Sequence, residues 1–143
     1  MDILHRISID AGPEEVLPKI TTANGFREWW TSDCEAEPRA GTVHRFRFLG
    51  GSVEFPFRVD ELTPRRVAWT CLSDPRTPPE WIGTRVTFDL STGPEDRTVL
   101  SFAHSGWPSA DGDLPQCNTV WGDLMHRLKA AAEGHPRGPY FPG

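Results

Sequence analysis

Residues 3 to 9 (ILHRISI) alternate, with Ile3, His5, Ile7 and Ile9 on one side and Leu4, Arg6 and Ser8 on the other, which predicts a half-buried strand near the start. Asp10-Ala11-Gly12-Pro13 then reads as a turn with proline placed for a first helical position. Glu14, Glu15, Val16, Leu17 and Ile20 predict a short helix with acidic residues at its positive end, and Pro18 keeps it short or bent. A second short helix is predicted over Gly25 to Trp30 (GFREWW), broken by Thr31-Ser32-Asp33.

From Cys34 to Ser105 the period changes to two and turn residues recur at short intervals, the pattern of an antiparallel meander. Val43 to Phe48 reads as a strand, followed by the hairpin signal Gly50-Gly51. His44 shares a face with Phe46 and Phe48 and is expected at a strand end in water. On the next strand Val53, Phe55, Phe57 and Val59 share one face and Glu54, Arg58 and Asp60 the solvent face, with Pro56 expected at a bulge or an edge. Val67, Trp69 and Cys71 alternate with Arg66, Ala68 and Thr70, and Asp74 to Glu80 is an irregular, proline-rich loop. Trp81 to Leu90 reads as a strand with Ile82, Thr84, Val86, Phe88 and Leu90 on one face; Thr98 to Ser105 follows, with Leu100, Phe102 and His104 together. The last element differs in kind. Pro115 in a first turn capped by Asp113, and a stop at Gly134 and Pro136, predict a helix of about 20 residues, about 30 Å long. Cys117, Val120, Trp121, Leu124, Leu128 and Ala131, with Met125 beside them, form its broad apolar face.

Composition narrows the reading. A chain of 143 residues fits one domain spanning 1–143. The irregular tail 134–143 alternates prolines and glycines, and Tyr140 and Phe141 are expected to anchor it. Fifteen basic against 20 acidic residues give a net charge of −5, which disfavours nucleic acid and anionic membranes as partners. Arg45, Arg47, Arg58, Arg65 and Arg66 fall on a solvated face, where Glu54, Asp60 and Glu61 would neutralise them. There is no apolar run of membrane-spanning length and no leader-like start, and Cys34, Cys71 and Cys117 are unpatterned, so free thiols in a cytoplasmic setting are expected. The five histidines show no metal-ligand spacing, and hydrolase and nucleotide motifs are lacking. Hence no metal, no cofactor and no catalytic residue is assigned.

Four segments carry a family resemblance: Phe26-Arg27-Glu28-Trp29-Trp30, Val67-Ala68-Trp69, Thr98 to Trp107 (TVLSFAHSGW), and Trp121-Gly122-Asp123-Leu124. In this order and spacing the chain resembles a START-like, or SRPBCC, helix-grip domain, most similar to the branch named after the activator of heat-shock protein 90 ATPase homologues. The resemblance implies an α+β, birch-pollen-allergen-like fold in which a curved antiparallel sheet, with two short helices after its first strand, wraps a long C-terminal helix. It also implies a cavity between sheet and helix that in this superfamily holds lipids, polyketides, hormones or other apolar molecules, or a reacting substrate.

The walls expected for such a cavity are Trp30, Phe46, Phe48, Phe55, Phe57, Trp69, Phe88, Phe102 and His104 from the sheet side, and Trp121, Leu124, Met125 and Leu128 from the helix. The competing reading is that these residues fill a solid core. Burial of roughly 300 Å² of apolar ligand surface at about 25 cal/mol per Å² gives about 7 kcal/mol before association costs, enough for micromolar binding. His104 could orient a carbonyl or hydroxyl or move a proton; alternatively its ring bonds neighbouring backbone and pins the loop. Three functions follow: binding of a small apolar or amphipathic ligand, a cyclase, dehydratase or hydrolase using the same cavity, or a co-chaperone type of interaction module. An exposed edge strand, or Trp81 and Trp107, would offer a surface for a homodimer.

Overall fold

The computed structural model describes residues 1–142; Gly143, the end of the expected tail, lies outside the described residues. Strand β1 (Ile3–Ile9) is followed by the short helix α1 (Pro13–Val16), a tight turn at Leu17–Ile20, and α2 (Ala23–Arg27). Six strands then run in succession: β2 (Cys34–Glu35), β3 (Val43–Phe48), β4 (Val53–Leu62), β5 (Arg66–Cys71), β6 (Arg85–Thr92) and β7 (Thr98–Ser105). Helix α3 (Leu114–Ala132) closes the order. The pairings between these strands are antiparallel, in the sheet order β1-β7-β6-β5-β4-β3-β2. Period-two patterning leaves each strand with one apolar face, and α3, with its apolar stripe of Trp121, Leu124, Met125 and Leu128, covers the concave side. This is the helix-grip α+β fold expected from the sequence.

Two aromatic groups anchor the body. Phe26 of α2 is fully buried with its ring edge on Phe46 at 4.8 Å and on Trp69 at 5.6 Å. The α2 position is fixed by Gly25, where a Cβ would stand 2.1 Å from the Pro18 carbonyl oxygen, so only glycine allows this approach. Toward the other edge Phe88 packs on Phe102 at 5.3 Å, and Phe102 on Trp121 of α3 at 4.5 Å.

Several local expectations are corrected. The second helix ends at Arg27, because residues 28–30 continue as a turn that aims Trp29 and Trp30 inward. The strand expected from Trp81 begins only at Arg85. Pro78 and Pro79 start a helical turn, Thr84 Oγ1 closes it on the Trp81 carbonyl at 2.6 Å, and Ile82 is left exposed. Pro56 is neither at a bulge nor at an edge: it pairs in register with Arg45, while its own carbonyl takes the Leu72 N–H just past the end of β5, so its missing donor faces no partner strand. The register shift in β4 falls between Val59 and Glu61 instead. His44 is not in water; it is fully buried beside Phe26 and Trp69, with Nε2 near the Glu37 carbonyl oxygen at 3.2 Å.

Glu54 points to the convex face as its parity requires, yet it is only 1% exposed, because Arg45, Arg47 and Arg76 close over it. Arg58 pairs with Asp60 and Arg66 with Glu61 and Asp89, whereas Arg65 donates to the Thr92 hydroxyl at 3.0 Å instead of to a carboxylate. Asp113 occupies the position before α3 without a side-chain cap; its own N–H is taken by the Glu80 carboxylate at 3.2 Å, which ties the helix start to the Trp81 turn. The tail does anchor through Tyr140 and Phe141, whose N–H groups donate to the carbonyls of Trp29 and Trp30.

Candidate functional site

A pocket of about 300 Å³ lies where the first turns of α3 pass over the ends of β3 and β4. The sheet contributes Phe48, Val53 and Phe55, the turn after β3 contributes Leu49, and the turn before β6 contributes Trp81. Trp30 comes from the segment after α2 and Phe141 from the tail, while α3 supplies Gln116, Cys117, Val120, Trp121 and Leu124, with Asp113 just before it. Ten of these side chains are aromatic or branched aliphatic, and the exposed Leu49, Asp113 and Gln116 mark the mouth.

The aromatic walls hold one another in place. Phe55 stacks on Trp81 at 4.0 Å, Phe48 meets Phe55 at 5.2 Å, and Trp30 meets Trp121 at 5.2 Å across the sheet-helix gap. Phe141 closes the ring with its edge on Phe48 at 4.8 Å. Because aromatic side chains have few rotatable bonds, a wall of this kind keeps its shape at little entropic cost.

Of the residues expected from sequence to line the cavity, Trp30, Phe48, Phe55, Trp121 and Leu124 do so. Phe46, Phe57, Trp69, Phe88, Phe102, Met125 and Leu128 are buried behind them as packing between sheet and helix, with His104. The strand parity was shared by all of them, but the helix lies directly on the far part of the sheet and lifts away only near its start. Parity alone does not locate that gap. Leu49, Val53, Trp81, Cys117, Val120 and Phe141 were not expected in the wall; Cys117 and Val120 had the right helical phase, whereas Trp81 and Phe141 arrive from irregular segments that no period describes.

His104 sits behind the wall and positions two of its indoles. Trp121 Nε1–H donates to His104 Nδ1 at 3.1 Å, and since an indole nitrogen only donates, Nδ1 must be the acceptor and Nε2 must carry the proton. Nε2–H then donates to Thr84 Oγ1 at 2.8 Å, and the Thr84 hydroxyl donates to the Trp81 carbonyl. The ring therefore bonds side chains and not, as one reading had it, the neighbouring backbone. Burial pushes its pKa down to about 3, so it is neutral at ordinary pH and poorly suited to proton transfer.

The ionisable groups on the wall are Asp113 and Cys117. Burial, then the Asp113 charge, push the Cys117 thiol up to about 11, against the pull of a hydrogen bond from Trp81. Among the described residues no three His, Cys, Asp or Glu side chains gather as metal ligands do, and no helix is long and apolar enough to cross a membrane.

Comparison with known proteins agrees with this architecture. The family model described as Activator of Hsp90 ATPase homolog 1-like protein matches residues 10–133. The solution structure of the Aha1 dimer from Colwellia psychrerythraea is similar with a TM-score of 0.83 and 36% identity, over 94% of this chain and 97% of that one. A crystal structure of a Mesorhizobium loti protein is similar with a TM-score of 0.78 at 20% identity, over 90% of this chain and 94% of that one. DynU16, from the dynemicin biosynthetic locus, has a TM-score of 0.74 at 24% identity; 96% of this chain matches 49% of it. At these lower identities the likeness concerns the fold. Curated protein sequences gave no match.

Proposed function

We propose, from the premise that the chain belongs to the family of Activator of Hsp90 ATPase homolog 1-like proteins, that it binds a small apolar or amphipathic ligand between sheet and C-terminal helix. The observation that carries this reading is the aromatic pocket of about 300 Å³, a volume at the lower end of small-molecule sites. Its walls supply affinity by burial, and Asp113 and Gln116 at the mouth offer hydrogen bonds to a polar end. An enzyme using the same space is less well supported, since His104 stands behind the indoles with its nitrogens engaged. A co-chaperone role rests on the family name alone. Native mass spectrometry of the purified protein, followed by solvent extraction, tests the reading. A bound apolar compound is expected; only the bare chain mass, with no binding of a neutral aromatic dye, would overturn it.

A second reading concerns assembly, and the similar Colwellia structure is that of a dimer. We infer pairing of this chain with a second copy along β1. It is an edge strand of seven residues, whereas the opposite edge, β2, has two. The even-numbered backbone groups face away from β7; those of Ser8 and Asp10 are taken by Lys129 of α3 and by Glu133 just after it, each at 2.8 Å, which leaves the stretch around Leu4, itself 69% exposed, and Arg6 for a partner. Arg6→Pro removes an outward N–H that the monomer leaves unused. Light scattering after size exclusion should report a dimer that Leu4→Lys and Arg6→Pro convert to monomer; a monomeric parent, or a dimer indifferent to both, would contradict it.

A further inference from the structure

Beyond the end of α3 the chain does not leave the body. Gly134 ends the helix in the left-handed region (φ +91°), with its N–H on the Ala131 carbonyl and the His135 N–H on that of Ala130. A second left-handed glycine, Gly138 (φ +84°), redirects the chain toward the pocket. There Arg127 of α3 donates from Nη1 to the Gly138 carbonyl at 3.0 Å and sets its guanidinium over the Tyr140 ring at 5.3 Å. The strand-like end then docks on the segment after α2. Tyr140 and Phe141 donate to the carbonyls of Trp29 and Trp30, and Ser32 returns its N–H to the Phe141 carbonyl and its hydroxyl to that of Pro142.

These bonds hold one side chain against the pocket. Phe141 is part of the wall and touches Phe48 by its edge. It comes from the tail after α3 and is partly buried at the margin of the core, whereas Trp30, the other wall aromatic outside the sheet, its turns and α3, is buried within the core.

We infer that the strap 135–142 is the specificity element of the pocket, with Phe141 as the stop that sets how long an apolar ligand the site admits. This rests on the ligand-binding reading given above. A rigid aromatic stop excludes longer chains by clash, whereas the mouth marked by the exposed Asp113 and Gln116 tolerates a polar end.

The test uses the 143-residue chain, the neutral fluorophore N-phenylnaphthylamine, and displacement by octanol, dodecanol and hexadecanol. The parent should release the dye to octanol and dodecanol but poorly to hexadecanol. Phe141→Ala should improve hexadecanol by about tenfold or more and leave octanol nearly unchanged, and Phe141→Trp should weaken dodecanol by a similar factor. Circular dichroism checks folding, and Phe141→Leu serves as the milder variant. If the parent binds dye and the alcohol ranking is the same in all variants, Phe141 is not the stop, although the pocket reading stands. If only Phe141→Ala binds dye, the stop closes the site outright and the assignment holds. If neither binds, the pocket reading itself falls and takes this inference with it.

Discussion

Trp121 on α3 donates its indole N–H to Nδ1 of His104 on β7, across 3.1 Å of fully buried space. That single bond fixes the histidine tautomer, and through Thr84 it connects the helix to the turn that carries Trp81. One neutral imidazole thus holds the Trp121 indole directly and the Trp81 turn through Thr84, so the wall and the protonation state are coupled.

The coupling predicts a pH dependence of stability. The His104 pKa is pushed down from 6.5 to about 3 by burial, and burial also lowers that of His44. Between these values the unfolded chain binds a proton that the folded chain excludes. Stability is therefore highest above about pH 6.5 and declines as pH falls toward about 3. His104→Gln, which can still accept from Trp121, should cost about 1–3 kcal/mol at neutral pH yet flatten the decline. Urea midpoints of both proteins across this range check it; parallel curves would contradict it.

Glu54 makes a second prediction. Its carboxylate receives Arg45 Nη1 at 3.1 Å, Arg47 Nε at 2.8 Å and Arg76 Nη2 at 2.7 Å, and its carbonyl receives the Thr77 hydroxyl. Glu54→Gln leaves three cations converging on a neutral amide. Because those arginines remain partly in water, the loss should be about 1–3 kcal/mol, below the ~3–5 of a fully buried broken pair. Protease cleavage within the loop of residues 74–80 should rise in parallel; an unchanged denaturation midpoint would contradict this.

Cysteine reactivity tests the geometry of the wall. Cys34 and Cys71 are buried, their thiols pushed up by burial, in Cys71 to about 12, whereas Cys117 is half-buried on the pocket surface. Iodoacetamide should modify Cys117 first, at a rate rising with pH toward about 11, and a saturating apolar ligand should protect it. Peptide mass mapping reads the site. Equal modification of Cys34 or Cys71 in native protein would contradict the structure.

The fold was legible in the sequence because its information is periodic. Val53, Phe55, Phe57 and Val59 declare a strand face, and Trp121, Leu124, Met125 and Leu128 a helix face. The candidate site was half legible for the same reason. Trp30, Phe48, Phe55, Trp121 and Leu124 follow from pattern and resemblance, but Trp81 and Phe141 sit in proline-rich irregular segments whose course is set by tertiary bonds, that of Glu80 to the Asp113 N–H and that of the Phe141 N–H to Trp30. Glu54 and His44 show the matching failure. Parity gave their faces, yet burial came from neighbours far along the chain, Arg76 for one and Phe26 for the other.

The central claim is that the space between α3 and the sheet receives a molecule, and Val120 tests it most directly. This side chain lies on the pocket wall and is partly buried at the margin of the core, so Val120→Trp fills the space from the helix side. Fluorescence titration with N-phenylnaphthylamine should show micromolar binding to the parent protein and at least about tenfold weaker binding to the variant, with thermal stability little changed. No enhancement with the parent, or equal affinity for both proteins, would contradict the account.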